Sequence, residues 1–118
     1  MADQPHILTG FHFTNATLAS FSERCRIIGH MDSPTPTVAD IPAGTAATVQ
    51  AIVSTGSVGI SDAMMAALPR LSLFCCYGTG YERVDLDAAR RRNIMVTHGA
   101  DANAPDVAEL ALGILLAS

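Results

Sequence analysis

The chain has no lysine and no tryptophan, and its aromatic residues are only four phenylalanines and two tyrosines. Its seven cationic side chains are therefore all arginines, and three of them form the short run Arg90–Arg92. In a chain with a net charge of −4, one short basic run is weak evidence for a nucleic-acid-binding surface. We interpret the run as the solvated end of a helix. We therefore expect no nucleic-acid partner.

Cysteine is also scarce. Three cysteines in 118 residues do not make a disulfide framework, and neither CxxC nor a Cys/His metal spacing occurs. Cys75 and Cys76 are adjacent on a predicted strand, so their side chains point to opposite faces. We interpret them as small buried hydrophobes in a reducing compartment, and we expect no metal site.

Long hydrophobic runs are missing as well. The one long apolar stretch, 107–117, is too short to span a bilayer and contains Glu109. Residues 1–10 lack the basic and apolar regions of a signal peptide, so we expect a soluble, cytoplasmic protein without a membrane partner. What the sequence does contain is 49% apolar against 15% charged residues, which is enough for one domain with a real core.

Short β-like runs alternate with helical segments along the chain. The predicted strands are His6–Thr9, Arg26–Gly29, Val49–Ser54, Leu71–Tyr77 and Ile94–Thr97. The predicted helices are Asn15–Arg24, Ser61–Leu68 and Asp85–Arg92, and the proline-containing stretch 31–45 is a loop with at most one helical turn. This rhythm indicates an α/β fold, most economically a flavodoxin-like doubly wound parallel five-stranded sheet of order 2-1-3-4-5 with helices on both faces.

A last helix is predicted from Asn103, because this residue is a good N-terminal cap and Pro105 and Asp106 suit the first turn. Its apolar residues recur at helical spacing and also occupy other faces, so the helix needs protein on more than one side. The sequence reaches Ser118 without a helix stop signal, and we expect an incomplete molecule.

Ligands of open α/β sheets bind beyond the carboxyl ends of the strands. The loops expected at that edge are 9–15, 54–59 and 78–81. In the last of these, the two glycines of Gly78-Thr79-Gly80 permit positive φ and close ligand approach. The N–H groups of Thr79 and Gly80 could then form a small concavity suited to a carboxylate. A tight strand-to-helix turn without a ligand is an equally good interpretation.

This turn is not the dinucleotide fingerprint, because G-x-G-x-x-G would need glycine where Arg83 stands. Asn103 is fully explained as a helix cap, although it could also donate a hydrogen bond to a substrate. His98 follows the fifth strand, where a site residue could lie, but no acid, nucleophile or second ligand is spaced to support it. The histidines that we interpret as structural or solvent-exposed are His6, His12 and His30.

Several spaced segments match one family in order. They are Leu68–Leu73, Gly78–Ala89, Asn93–Thr97, and Asn103 with Val107-Ala108-Glu109. Together they resemble the D-isomer-specific 2-hydroxyacid dehydrogenases, a family that includes glyoxylate/hydroxypyruvate reductases, D-lactate and phosphoglycerate dehydrogenases, and NAD-type formate dehydrogenase. The resemblance covers Val49–Ser118 well and is compatible in strand order from His6 to Gly44.

The resemblance implies that residues 1–100 form a flavodoxin-like substrate domain and that 101–118 form a crossover helix leading to an absent Rossmann domain. It implies a full-length enzyme that uses NAD or NADP to reduce a small 2-keto acid, or to oxidise a D-2-hydroxy acid, by hydride transfer. A homodimer through the 103–118 helix region is also implied. The family's catalytic histidine, its acidic partner, its substrate arginine and its cofactor loop all lie further downstream. The chain alone is therefore expected to have no catalytic residue and no activity.

The resemblance also implies site residues. In the family, a Gly-x-Gly loop donates backbone N–H bonds to the substrate carboxylate, which here falls on Thr79 and Gly80. Some members also use an asparagine, which here is Asn103, and Val107 is the residue expected beside the cofactor. Thr79 stands where relatives more often have an aliphatic residue, which leaves substrate choice open. The residues that resemble the loop lining the substrate side chain are Ser54, Thr55 and Gly56.

Two alternatives belong to other classes of protein. The first is a non-enzymatic flavodoxin-like module for flavin or another small ligand. Residues 9–17 faintly resemble a flavin phosphate loop, and Tyr77 or Tyr81 could stack on a ring. The second is a phosphoacceptor receiver domain, which fails because it needs an aspartate where Ser54 stands and a lysine after the fifth strand.

Overall fold

Five parallel strands form the sheet of the computed structural model, which describes residues 4–78, 80–99 and 112–117. In chain order the strands are β1 (His6–Thr9), β2 (Arg26–His30), β3 (Ala51–Ser54), β4 (Leu73–Cys76) and β5 (Met95–His98). Their order in the sheet is β2-β1-β3-β4-β5, and every neighbouring pair is parallel. The predicted doubly wound topology is confirmed.

Short helices connect the strands, and each begins at a polar cap. They are α1 (Asn15–Ser22), α2 (Asp62–Ala67) and α3 (Leu86–Arg91), with a 3-10 turn at Val38–Asp40 in the proline-containing loop. The caps whose side-chain oxygens accept a backbone N–H of the first turn are Thr14, Ser61 and Asp85. After α3 the chain turns at Asn93, whose φ of 56° is the left-handed conformation that ends helices. The helix predicted over Asp85–Arg92 is thus one residue shorter at each end.

Several helices and strands are shorter than predicted. Helix α1 ends at Ser22 instead of Arg24, because the N–H groups of Arg24 and Cys25 both donate to the carbonyl of Phe21 and tighten the last turn. Strand β3 begins at Ala51 instead of Val49, whose N–H donates back to Thr45 in a turn. Strand β4 likewise occupies only 73–76 of the predicted 71–77.

Side chains from alternate strand positions pack on opposite faces of the sheet. Leu8, Ile52 and Phe74 are fully buried on the face covered by α2 and α3. The other face buries Ile7, Ala51 and Val53 under aromatic side chains of α1 and its preceding loop. Helices therefore cover both faces, as predicted. The two adjacent cysteines divide in the same way, since Cys76 joins the first cluster and Cys75 packs against the second.

Residues 112–117 are helical, and the predicted start of this helix at Asn103 lies outside the described residues. Large apolar side chains remain exposed on this segment, at between 57% and 78% of their surface. They are Leu112, Ile114, Leu115 and Leu116. In the part of the chain that the structure describes, no helix has the length and apolar character needed to cross a membrane.

Candidate functional site

Two loops, residues 54–60 and 80–85, run side by side at the carboxyl edge of the sheet, after β3 and β4. The backbone N–H of Arg83 donates to the carbonyl of Gly56 over 2.9 Å. The carbonyl of Arg83 in turn accepts from the N–H of Ile60 over 3.3 Å. We call these two segments the paired loops. Backbone hydrogen bonds hold them in a fixed relation to each other beyond the ends of the strands.

Glycine is required where the paired loops touch. A Cβ atom on Gly56 would lie 2.1 Å from the carbonyl oxygen of Gly80 and 2.5 Å from the backbone nitrogen of Tyr81. A Cβ on Gly59 would meet the carbonyl of Arg83 at the same distance of 2.1 Å. Backbone atoms cannot rotate away as a side chain can, so any larger residue would separate the loops. The structure thus brings Gly56 and Gly80, both predicted site residues, into direct backbone contact.

The hydroxyls of Ser54 and Thr55 have different surroundings. Thr55 Oγ1 accepts from the N–H of Val58 over 3.2 Å and lies 3.0 Å from Ser57 Oγ, so it stabilises its own turn. Ser54 is completely buried, and its hydroxyl has no hydrogen-bond partner among the described residues. An unpaired buried hydroxyl costs about 1–3 kcal/mol. Ser54 is therefore the polar group of the paired loops that a nearby ligand could satisfy.

Three other predicted site residues, Thr79, Asn103 and Val107, lie outside the described residues, so their roles stay predictions. The residues on either side of Thr79, Gly78 and Gly80, are described. Gly78 has a φ of 122°, which is a conformation that favours glycine. Its carbonyl accepts from the N–H of Gly99 over 2.6 Å, which ties the turn to the end of β5.

A carboxylate and a buried thiol set the electrostatics of this edge. A Cβ on Gly80 would lie 2.3 Å from Glu82 Oε2, so the acidic side chain lies over the glycine backbone. Burial above all, with smaller contributions from the neighbouring Cys75 and Glu82, raises the pKa of the Cys76 thiol to about 11. The interior beneath the paired loops therefore disfavours negative charge, and Glu82 also opposes the approach of an anion.

Aromatic side chains surround the same edge. Tyr77 stacks on Phe11 with ring centroids 6.0 Å apart and meets Phe13 edge-on at 5.1 Å. Tyr81 contacts the His98 ring at 4.8 Å. Both tyrosines considered for stacking on a flavin therefore pack on side chains of this chain. In the loop considered for the flavin phosphate, the Thr14 hydroxyl accepts from a backbone N–H of α1 and acts as its cap.

A second group of polar side chains at this edge was missed by the sequence interpretation. His30 is the last residue of β2, and His12 and Asp32 follow β1 and β2. The potential ligand atoms of these three residues all lie within 4.8 Å of one another. The two histidines were interpreted separately, as structural or exposed residues. Their common position just beyond two strands that the predicted order places side by side was the signal that could have joined them.

Comparison with known proteins identifies the family. A model of the D-isomer specific 2-hydroxyacid dehydrogenase catalytic domain matches residues 11–112. The chain belongs to this family. The resemblance inferred from the spaced segments around Gly78–Ala89 is therefore confirmed, and the sheet order agrees with it.

Individual relatives include reductases and solved dehydrogenases. The chain is 34% identical over 71 residues to the glyoxylate/hydroxypyruvate reductase HPR3 of Arabidopsis thaliana. The matched segment covers 60% of this chain and 22% of that relative. It superimposes on a 2-hydroxyacid dehydrogenase of Ketogulonicigenium vulgare with a TM-score of 0.84 at 30% identity, covering 98% of this chain and 36% of that one. The NADPH-dependent glyoxylate/hydroxypyruvate reductase of Sinorhizobium meliloti, in complex with NADP and malonate, gives 0.78 at 28% identity over 97% and 34%. The chain thus matches a minor part of each relative's length.

Proposed function

We propose that this chain is the substrate-binding part of an NAD(P)-dependent oxidoreductase. The whole protein reduces a small 2-keto acid, or oxidises the corresponding D-2-hydroxy acid, by hydride transfer. Residues 1–100 are its substrate domain, and 101–118 are the crossover helix toward a dinucleotide-binding domain. The observation that carries the proposal is the pair of glycine-dependent loops at the carboxyl edge of a sheet with this family's fold.

In this proposal the paired loops hold the substrate. The backbone N–H groups of Thr79 and Gly80 donate to its carboxylate, because successive N–H groups in a turn form an anion-binding concavity. Gly56 allows the first loop to approach this turn at backbone distance, which supports the assignment of both loops to one site. The residues that line the substrate side chain are Ser54 and Thr55, and Asn103 donates a further hydrogen bond.

The described residues do not fit a dinucleotide cofactor. Arg83 replaces the third glycine of the fingerprint, and its backbone N–H and carbonyl are both engaged in pairing the loops. In this proposal NAD or NADP is held mainly by residues outside this sequence, and Val107 lies beside it. When bound, the cofactor supplies the hydride. This chain positions the substrate and contributes no catalytic residue, so it is inactive alone.

Glyoxylate and hydroxypyruvate are the substrates that we propose. Two relatives are named as reductases of these acids, and one of them was solved with malonate, another small carboxylate. An exposed carboxylate at Glu82 would restrict the space and the charge tolerated beside Gly80. A small acid is accommodated better than a larger one.

The test is an activity assay on the whole protein to which this chain belongs. Oxidation of NADH and NADPH is followed by the loss of nicotinamide absorbance, with glyoxylate and with hydroxypyruvate, and the 118-residue chain is assayed in parallel. We expect turnover by the whole protein and none by the chain. Absence of turnover with any 2-keto acid would overturn the proposal. A yellow purified chain with flavin absorbance would favour the flavin-binding alternative.

We also propose a homodimer through the 103–118 helix region. Its support is the exposure of Leu112, Ile114, Leu115 and Leu116, an apolar set that is unusual on a protein surface. Light scattering on the concentrated chain should reveal self-association, and Leu112→Glu with Leu116→Glu should reduce it. A monodisperse monomer at high concentration would contradict this proposal.

A cytoplasmic location completes the proposal. Its support is that Cys25, Cys75 and Cys76 are all free thiols, which suits a reducing compartment. Localisation of a tagged whole protein by microscopy or fractionation tests it, and recovery from an oxidising compartment would contradict it.

A further inference from the structure

His12, His30 and Asp32, which we call the histidine cluster, form a second group of polar side chains at the carboxyl edge of the sheet. They border a cavity of about 310 Å³ that is otherwise lined mainly by apolar residues. None of the three belongs to the proposed substrate-binding residues. Two of the three side chains, those of His12 and Asp32, are largely in solvent, so they do not serve to fill the core.

The parallel pairing of β1 and β2 places these residues together. Thr9, the last residue of β1, is in register with His30, the last residue of β2. The backbone N–H of Met31 then donates to the carbonyl of Thr9 over 2.8 Å, which keeps the two chains adjacent as they leave the sheet. His12 and Asp32 follow within three residues of these strand ends, so the sheet register delivers all three side chains to one point.

The distances within the histidine cluster suit a metal ion. His12 Nε2 lies 3.4 Å from Asp32 Oδ1, and the rings of His12 and His30 have centroids 4.6 Å apart. Ligand atoms around tetrahedral zinc lie about 3.3 Å from one another, given bonds of about 2.0–2.2 Å. The side chains of His12 and Asp32 are 80% and 85% exposed, so small rotations can close the remaining gap to His30 without moving the core.

His30 also has the support that metal-binding histidines require. Its Nδ1 lies 2.8 Å from Oγ1 of Thr9, a residue that is only 3% exposed. When Nδ1–H donates to this hydroxyl, the tautomer is fixed and Nε2 carries the free lone pair. Metal-ligating histidines nearly always donate their second N–H in this way, which fixes the ring orientation.

We propose that His12, His30 and Asp32 bind one zinc ion, with solvent completing its coordination. Two imidazoles and one carboxylate form a donor set that suits zinc, whereas magnesium and calcium prefer oxygen ligands alone. Zinc joins the loops after β1 and β2. Phe11, in the first of these loops, stacks on Tyr77 beside the paired loops, so the ion restrains one wall of the proposed substrate site.

Calorimetric titration of the chelator-treated chain with zinc chloride tests this site, with magnesium chloride as the comparison ion. We expect one zinc per chain, no heat with magnesium, and a rise in melting temperature of about 5 °C at saturating zinc. His12→Ala and Asp32→Asn should each weaken zinc binding at least tenfold. Because both side chains are exposed, these variants should fold normally. His6→Ala, which removes a histidine at the opposite end of β1, should bind zinc as the unchanged chain does.

A fourth variant tests the role of the Thr9 hydroxyl. Thr9→Val keeps the shape of the buried side chain and leaves all three ligands in place, and loss of such a supporting group typically costs about 10–100-fold in metal affinity. Cobalt in place of zinc should give visible absorption bands that His12→Ala removes. Zinc affinity unchanged by both His12→Ala and Asp32→Asn, or no zinc binding at all, would overturn the proposal. The first of these results would point to the cysteines as the ligands.

Discussion

The loops that follow β3 and β4 meet through backbone contacts between Gly56 and Gly80. The loops that follow β1 and β2 leave the sheet side by side, held by the Met31–Thr9 backbone hydrogen bond, and then meet through side chains. In the paired loops, Gly56 and Gly80 meet without any intervening side chain. In the histidine cluster, exposed and rotatable groups meet across solvent. A backbone arrangement is fixed by packing and tolerates no extra atom, while a side-chain arrangement can lose a member without disturbing the fold. The two regions should therefore respond to mutation in opposite ways.

The largest difference should come from Gly56→Ala. The added Cβ would overlap the carbonyl of Gly80, and because backbone must move to relieve it, we expect a loss of about 3 kcal/mol in the free energy of unfolding. Urea denaturation measures this loss. Gly113→Ala is the matched control, because a Cβ on Gly113 would meet nothing within 4 Å. Equal stability of the two variants would show that the loop contact is not tight.

A second effect concerns the dry interior beneath the paired loops. Burial raises the pKa of Cys76 to about 11 from 9.0, so the unfolded chain loses this proton first as the pH rises. The associated stability is present below pH 9 and is lost between about pH 9 and pH 11, by an amount on the order of 2–3 kcal/mol.

Unfolding in urea at a series of alkaline pH values measures this effect as the difference between the unchanged chain and Cys76→Ala. Cys25→Ala serves as the control, because it removes a thiol far from this edge and should leave the pH dependence intact. An identical pH profile for all three proteins would contradict a dry environment for Cys76.

A smaller effect is expected at Glu82, whose carboxylate lies over the Gly80 backbone. Glu82→Gln removes a negative charge from the approach to the paired loops while keeping the side chain's size. We expect the affinity for a small carboxylate to rise a few-fold, equivalent to roughly 0.5–1 kcal/mol for an exposed charge. The gain should shrink at high salt. Affinity that is unchanged at low salt would place the carboxylate ligand elsewhere.

The smallest effect should be that of His12→Ala on the metal-free chain. His12 and Asp32 form an exposed pair 3.4 Å apart, and such pairs contribute about 0–1 kcal/mol. We expect the free energy of unfolding to change by less than about 0.5 kcal/mol in the presence of a chelator. A large loss in the free energy of unfolding would mean that the histidine cluster stabilises the fold itself. The cluster and the paired loops would then not differ in their response to mutation.

The same contrast explains how much the sequence could predict. Strand positions followed from hydrophobic periodicity and turn residues, which are local. The sheet order followed from the alternation of strands and helices and the right-handed connections of parallel sheets. Two helices were predicted to begin at Ser61 and Asp85, and both residues act as caps in the structure. The turn at Gly78-Thr79-Gly80 could be recognised from the sequence, because two glycines in three residues are a local signal for a turn. That Gly56 and Gly80 touch required the family resemblance or the structure.

Other features depend on details of tertiary structure. His12 and His30 are separated by 17 intervening residues, and only the register between Thr9 and His30 brings them together. The predicted sheet order made β1 and β2 neighbours but did not give their register. The isolation of the Ser54 hydroxyl is likewise a property of tertiary packing, because it depends on which groups surround the end of β3.

Amide NMR spectra of the ¹⁵N-labelled chain, titrated with malonate in the presence of a chelator, show whether the paired loops bind a carboxylate. Malonate is a small carboxylate that cannot be reduced as a 2-keto acid can. The account predicts that the amide signals of Thr79 and Gly80 shift most, that Gly56 follows, and that Gly56→Ala abolishes these shifts. Shifts centred on another part of the chain, or none at millimolar malonate, would contradict the assignment of the paired loops as the carboxylate site.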